Sequence, residues 1–210
     1  MKQNLEENIN ALLDAKKLDD AIKLAEEELM KFSETKFHTI IGKDLLNDKR
    51  ISDSKHFLDN FDKSTRKVLK KNQGFIKNLF SLNKEVKPAV YYCETYGFNF
   101  SLFSFKEMSS YQAMVDDNPE WMGTNLDYTP EYDIKEFNEI EHHHNDFDYS
   151  NLSEDEISDI ERIYEICVII ANLRIQELFV EIYKSSLINE WGNIPMFISN
   201  EKNNFTYKVN

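Results

Sequence analysis

The stretch "SEDEISDIERIYEICVIIANLRIQELFVEIYKSS", residues 153–186, decides the fold. Ser153 and Glu156 stand at the spacing of a capping box, in which each side chain binds the other residue's backbone amide at a helix start. Behind them, apolar residues recur at helical spacing in two neighbouring stripes. The first stripe holds Ile157, Ile160, Tyr164, Cys167, Ala171 and Leu178, and the second holds Ile163, Ile166, Ile170 and Leu173. We therefore predict a helix over about 154–186 that is apolar on two faces and central in the fold.

One cation interrupts this apolar pattern. Arg174 lies in the register of the stripes, so the predicted helix carries a guanidinium group into the core. Burying a charge is unfavourable unless the group is paired and hydrogen-bonded. We expect Arg174 to bind a carboxylate or a backbone carbonyl, as a structural pair rather than as a catalytic arginine.

The half of the chain that precedes residue 88 is predicted to be helical. Residues 4–32 read as two helices, because apolar residues recur at helical spacing in two successive groups. These groups are Leu5, Ile9, Leu12 and Leu13, followed by Leu18, Ile22, Ala25 and Leu29. A short helix is expected at 35–47, and a longer one runs from Ser52 or Asp53 to about residue 80. The basic cluster "KSTRKVLKK" at 63–71 falls on the exposed side of the longer helix.

Strands are predicted where β-branched and aromatic residues replace the helical pattern. "AVYYCET" and "FNFSLFSFKE" flank Tyr96-Gly97 and read as a β-hairpin, and "IPMFISN" and "FTYKVN" predict a second one that turns at 200–204. We predict a single α+β domain over 1–210, with a helical N-terminal part at 1–82. The rest, 88–210, holds an antiparallel sheet from hairpins at about 88–106 and 194–209, the long C-terminal helix, and an irregular acidic excursion at 109–152.

Composition favours a cytoplasmic globular protein. The chain has 210 residues, of which 41% are hydrophobic. No apolar run approaches the roughly 20 residues that span a bilayer, and the N-terminus lacks the apolar segment of a signal peptide. Cys93 and Cys167 form no CxxC pair, so we expect reduced thiols.

Charge is concentrated in one quarter of the chain. The formal net charge is −13, and residues 114–165 hold 17 acidic residues against two basic ones, Lys135 and Arg162. Such a surface repels nucleic acid and anionic membranes, because phosphate binding needs a basic footprint. It attracts basic proteins and cations. We therefore expect a basic protein partner, and neither nucleic acid nor membrane.

Aromatic residues are interleaved with these acids. Charge speeds the encounter with a partner, and aromatic rings supply anchoring contact area. The candidate partner-binding residues are Trp121, Tyr128, Tyr132, Glu136, Phe137, Glu139, Glu141 and Tyr149. An equally weighted interpretation is that the aromatic rings only pin an irregular loop to the core. The leading hypothesis is non-enzymatic protein binding without a cofactor, for example by an intracellular inhibitor such as an immunity protein against a basic, nuclease-type toxin.

The segment "EIEHHHNDFDYS", residues 139–150, suggests an alternative. His142 and His144 would share one side of an extended backbone, with Glu141 or Asp146 as a further ligand for a divalent metal such as zinc. A metal-dependent hydrolase would follow from such a site, whereas the default interpretation is a solvated acidic loop. The sequence contains no HExxH, GxSxG, P-loop or dinucleotide fingerprint. A structural subunit is a third hypothesis, and no catalytic residue is assigned.

Overall fold

The computed structural model describes three long helices and five strands. It describes residues 2–32, 89–97, 99–109, 126–128, 148–185, 194–200 and 205–209, with 63, 65–67, 69–71, 74, 112, 141–142 and 144–146. The helices are α1 (Lys2–Asp14), α2 (Leu18–Leu29) and α3 (Glu154–Ser185). The strands are β1 (Val90–Tyr96), β2 (Asn99–Phe105), β3 (Leu126–Tyr128), β4 (Met196–Asn200) and β5 (Tyr207–Lys208). The predicted helix at 35–47, the ends of the helix predicted to reach residue 80, and the turn at 201–204 lie outside these residues.

The capping box forms as predicted at the start of α3. The Ser153 backbone amide donates to Glu156 Oε2 at 2.9 Å, and the Glu156 amide donates to Ser153 Oγ at 3.3 Å. In both predicted stripes of α3, every residue except Ile157 and Tyr164 is buried. The central helix is therefore confirmed.

Helix α3 lies against both the α1–α2 hairpin and the sheet. The predicted apolar groups of α1 and α2 are buried except for the half-buried Leu12, and they join the same core as α3. On the sheet side, the rings of Phe100 and Phe179 meet edge to face at 5.8 Å. Two hydrogen bonds join Phe205, which lies just before β5, to the helices. Gln176 Nε2 of α3 donates to the Phe205 carbonyl at 2.6 Å, and the Phe205 amide donates to Asn10 Oδ1 of α1 at 2.8 Å.

The α+β class is confirmed, with a sheet of mixed strand direction. The strand order is β3-β2-β1-β4-β5. Both predicted hairpins are present, since β1–β2 and β4–β5 are antiparallel pairs, and Gly97 turns the first of them with a positive φ of 51°. The hairpins meet through β1 and β4, which are parallel. A parallel neighbour needs a long crossover connection, and the chain that contains α3 provides it. The sequence predicted the two antiparallel hairpins, and the parallel pairing that joins them into one sheet was not predicted.

Arg174 is paired, as expected. Its side chain is 5% exposed and donates at 2.9 Å both to Glu26 Oε1 of α2 and to Glu177 Oε2 of α3. The guanidinium thus joins two helices, and its charge is balanced by two carboxylates. The described basic residues of the 63–71 cluster, namely Lys63, Arg66, Lys67, Lys70 and Lys71, are exposed, as predicted.

The first prediction concerns the core. Replacing Leu173, which is fully buried, with alanine should lower the free energy of unfolding by about 2–5 kcal/mol through lost burial and a residual cavity. Ser158→Ala, at an exposed position of the same helix, should change it by less than about 0.5 kcal/mol. Denaturant melts measure both, and a loss below about 0.5 kcal/mol for Leu173→Ala would contradict this placement of the helix.

The second prediction concerns the ion pair between α2 and α3. Glu26→Gln should destabilise the fold by about 1–3 kcal/mol, because a buried guanidinium loses one of its two carboxylates. The matched control is Glu27→Gln on the same helix. Its exposed bridge to Lys23 spans 3.7 Å, and such pairs contribute less than about 1 kcal/mol. Equal losses in thermal melts would show that Arg174 does not depend on Glu26.

Candidate binding site

A cavity opens where the carboxyl ends of β1 and β4 meet the middle of α3. Thr95 and Asn200 form the last register pair of these parallel strands, and Gly97 follows in the turn. All three residues line a cavity of about 340 Å³. The carboxyl ends of parallel strands are a common place for ligand sites in open sheets that carry helices. Here the one parallel pair among the described strands, β1 and β4, leaves a hollow between the strand ends and one face of the helix.

One helical stripe forms the opposite wall of the cavity. Tyr164, Val168 and Asn172 follow one another at intervals of four residues, so they lie along one face of α3, with Glu165 and Ile169 beside them. Glu6 of α1 and Phe205 complete the lining. The charged groups in this lining are the two carboxylates, Glu6 and Glu165, and no described lysine, arginine or histidine contributes to it. Arg162 approaches from outside the lining and binds Glu165 Oε2 at 3.2 Å.

Asn172 is the unusual residue of this wall. Its side chain is 4% exposed, and its Oδ1 accepts no hydrogen bond within the part of the chain that the structure describes. A buried acceptor without a donor is unfavourable by about 1–3 kcal/mol. Because such groups are rare in native structures, each one calls for an explanation. A ligand that brings an N–H or O–H group into the cavity would supply the missing bond.

The cavity has an aromatic border that is continuous with the acidic segment. The His144 ring stacks on the Tyr164 ring with centroids 3.9 Å apart and an interplanar angle of 16°. Tyr149 meets the other edge of His144 at 6.4 Å, and its hydroxyl donates to the His144 carbonyl at 3.3 Å. The rings of His144 and Tyr149 therefore lie against α3 at the cavity edge.

Glu141 brings a further carboxylate to this edge. Its Oε1 lies 3.8 Å from the point where a Cβ on Gly97 would stand. Burial raises the pKa of Tyr164 to about 12, and Glu141 adds to the rise. Tyr164 is therefore a neutral phenol at physiological pH, and the charged groups of the described lining are carboxylates.

The structure describes only part of the predicted partner-binding set. Trp121, Tyr132, Glu136, Phe137 and Glu139 lie outside the described residues, and of Tyr128 only its place in β3 is described. Glu141 and Tyr149 come together at the cavity edge. Tyr149 is half-buried and packs against the core. This contact is the one expected if the aromatic rings hold the loop against the core.

The backbone around the predicted metal ligands is helical rather than extended. Residues 141–142 and 144–145 are helical, and the Asp146 amide donates to the His142 carbonyl at 2.9 Å. Histidines two residues apart do not share a helix face, so the expectation of a common strand side is wrong. Among the described residues no three histidine, cysteine, aspartate or glutamate side chains come together as a metal site. A metal role for His142, His144 and Asp146 stays a prediction without its original geometric support.

Sequence reasoning missed most of the cavity. Glu6, Thr95, Gly97 and Asn200 are distant in sequence, and only the tertiary fold brings them together. Asn172 did carry a local signal, because a polar amide inside the run "CVIIANL" stands out as Arg174 does. The charge of Arg174 led us to expect a hydrogen-bonding partner for it. The neutral amide of Asn172, which lies in the same apolar run, needs a partner for the same reason.

A second, larger cavity of about 660 Å³ is lined by the exposed basic cluster and by Glu177 and Glu181 of α3. The basic groups there are partly compensated, since Arg66 lies 4.0 Å from Glu177. Arg174, the buried charge that faces it, already binds two carboxylates. This hollow therefore offers less reason for a ligand than the cavity beside Asn172.

Comparison of the chain with protein family models, with curated proteins and with solved structures finds no match. Within the described ranges, no helix combines the length and the apolar character needed to cross a bilayer. Functional inference therefore depends on the chemistry of the residues themselves.

The third prediction tests the border of the cavity. His144→Ala removes the ring that stacks on Tyr164, and an aromatic pair of this kind contributes about 0.5–1.5 kcal/mol. Amide hydrogen exchange in residues 144–149 should then accelerate by about two- to tenfold. His142→Ala is the matched control, since His142 is exposed, and it should leave exchange unchanged. Equal exchange in both variants would show that the stack does not hold this segment.

Proposed function

We propose that this chain is a non-enzymatic protein that binds a basic protein through the acidic surface on and before the first turns of α3. One observation carries the proposal. Seven carboxylates between residues 146 and 161 are exposed: Asp146, Asp148, Glu154, Asp155, Glu156, Asp159 and Glu161. The sequence contains no lysine or arginine between residues 141 and 161. Arg162 comes next, but its side chain is only 11% exposed and it binds Glu165.

The concentration of charge supports binding rather than general solubility. Charges that serve solubility alone can be spread over a surface, and local repulsion is then small. Here the quarter of the chain at 114–165 carries 17 acids against two basic residues, while residues 1–113 hold 17 acids against 19 basic residues. A one-sided field of this kind raises the association rate with a basic protein and selects against acidic ones.

The specific form we favour is an intracellular inhibitor, such as an immunity protein that neutralises a nuclease-type toxin. A nuclease must present a basic surface to bind phosphates. An acidic surface can occupy that footprint and exclude the nucleic acid. The inhibitor would then need no cofactor and no catalytic residue, only complementary charge and a few anchoring contacts.

The fourth prediction is kinetic. The basic partner would be captured on the immobilised chain at low salt, eluted with salt, identified by mass spectrometry and purified. Its association rate should fall by at least tenfold between low and 1 M salt, because the Debye length shrinks to about 3 Å. Neutralising three exposed carboxylates together, Asp146→Asn, Asp159→Asn and Glu161→Gln, should slow association several-fold at low salt. The Glu136, Glu139 and Glu141 set should act in the same direction.

The control removes the same charge from another surface. Asp14, Asp20 and Glu27 are exposed on the α1–α2 hairpin, and their neutralisation should change the association rate by less than about twofold. A salt-independent association rate, or equal effects of the two triple variants, would overturn the proposal.

A further inference from the structure

We propose that the cavity between the ends of β1 and β4 and helix α3 receives the guanidinium or ammonium tip of an arginine or lysine side chain from the basic partner. This inference rests on the proposed function and adds to it a specific anchoring pocket. The exposed acids would govern the encounter, whereas this pocket would hold the partner in place.

The hydrogen-bonding groups of the lining favour a cationic donor. Asn172 Oδ1 is a buried acceptor without a donor among the described residues, and carboxylate oxygens come from Glu6 and from Glu165, which also binds Arg162. A guanidinium group carries five N–H donors and an ammonium group three, and neither accepts hydrogen bonds. Such a tip would satisfy Asn172 and meet opposite charge in one step.

The apolar part of the lining fits the stem of the same side chain. Val168, Ile169 and Phe205 line the cavity beside the polar groups. Arginine and lysine side chains place their methylene groups along apolar surface while the charged tip reaches polar groups. The volume of about 340 Å³ lies at the lower end of the roughly 300–1,000 Å³ range of ligand pockets. It suits one side chain better than a nucleotide or a large cofactor.

Other ligand classes fit the lining less well. An anion would face Glu6 and Glu165, with Glu141 nearby, and would meet no described cation in the lining. An apolar group would leave the Asn172 acceptor without its hydrogen bond. The described lining also holds no group of three metal-ligating side chains. A positively charged hydrogen-bond donor fits the carboxylates and the Asn172 acceptor, and it does not need a set of metal ligands.

The position of the cavity connects it to the acidic surface. Tyr164 belongs both to the lining and to the stack with His144, so the segment that includes Asp146 and Asp148 borders the pocket. A basic protein that is drawn to those acids would have a basic side chain within reach of the opening. Desolvated anchors at the centre of a contact set its lifetime more than its rate of formation.

The fifth prediction uses small probes that need no knowledge of the partner. N-acetyl-arginine amide, titrated into the full chain, should give saturable shifts in the amide NMR spectrum at Asn172, Thr95 and Gly97. N-acetyl-citrulline amide has nearly the same shape without the charge, and it should bind at least tenfold more weakly. Equal binding of the two probes, or no saturable shift at these residues, would overturn the pocket assignment.

Substitutions locate the interaction. Asn172→Leu keeps the number and branching of the side-chain heavy atoms and removes the acceptor, so probe binding should fall at least tenfold, and a thermal melt checks that the variant folds. Asn172→Asp keeps the acceptor and should retain binding, which distinguishes hydrogen bonding from mere packing. Asn151→Leu, at an exposed position, is the control and should be silent. If Asn172→Leu does not fold, Glu165→Gln provides the test, with an expected loss of at least threefold and an unchanged affinity overturning the proposal.

Kinetics with the purified partner separate this inference from the proposed function. Asn172→Leu should accelerate dissociation at least tenfold and leave the association rate and its salt dependence unchanged. Neutralising Asp146, Asp159 and Glu161 should act mainly on association. Salt-dependent association with an unchanged dissociation rate in Asn172→Leu would remove the pocket and leave the acidic surface in place. Salt-independent association would overturn the proposed function. The probe titration would then still test whether the cavity binds a cationic side chain.

Discussion

Burial of α3 on two faces is the constraint on which the rest of the fold depends. A helix of 32 residues extends about 48 Å at 1.5 Å per residue, and a helix that is apolar on two faces is stable only when other elements cover both. The α1–α2 hairpin and the sheet supply that cover in one continuous core. The same chain crossing makes β4 the parallel neighbour of β1. The cavity at their carboxyl ends is thus a consequence of how α3 is packed.

The first turn and the middle of α3 differ in charge and in burial. Its first turn carries Glu154, Asp155 and Glu156, which the positive end of the helix dipole stabilises. This part of the helix is exposed, whereas residues 169–176 are buried in succession. The helix therefore projects an acidic end from an apolar middle. Acids placed there are favourable for the helix, so a strongly negative surface can form with little loss of stability.

Arg174 and Asn172 are two buried polar groups on one helix that differ in whether the described residues satisfy them. They stand two residues apart, so they point toward different surroundings on α3. Arg174 meets Glu26 and Glu177 at 2.9 Å, and this pairing explains its burial by structure alone. The Asn172 acceptor has no such explanation within the described residues. A leucine would fill the same space without an unsatisfied acceptor, and this contrast makes Asn172 the better indicator of a site.

The sequence predicted what local patterns control. The Ser153–Glu156 box and the apolar stripes identified α3, and turn residues with aromatic runs identified both hairpins, because each depends on neighbours in the chain. The parallel pairing of β1 with β4 is a long-range choice and left no local signal. The sequence around His142 and His144 has too few apolar residues to show a period, so it predicted an extended backbone where the described residues 141–142 and 144–145 are helical. The cavity as a whole could not be predicted from the sequence, because α1, the strand ends and α3 meet only in the folded chain.

In the mode of binding proposed above, the surface charge and the pocket would act at different distances from the partner. Exposed carboxylates act over about 8–10 Å at moderate salt, but they lose little water on contact and hold a partner weakly. The Asn172 acceptor acts only over a hydrogen-bond length, yet it is already desolvated and belongs to a residue that lines the hollow. A partner side chain that enters the hollow must lose its own water, and it regains hydrogen bonds there only if its donors match the lining. Specificity would then reside in the pocket, because many basic proteins satisfy the charge condition and few also present a suitable side chain at the required distance from it.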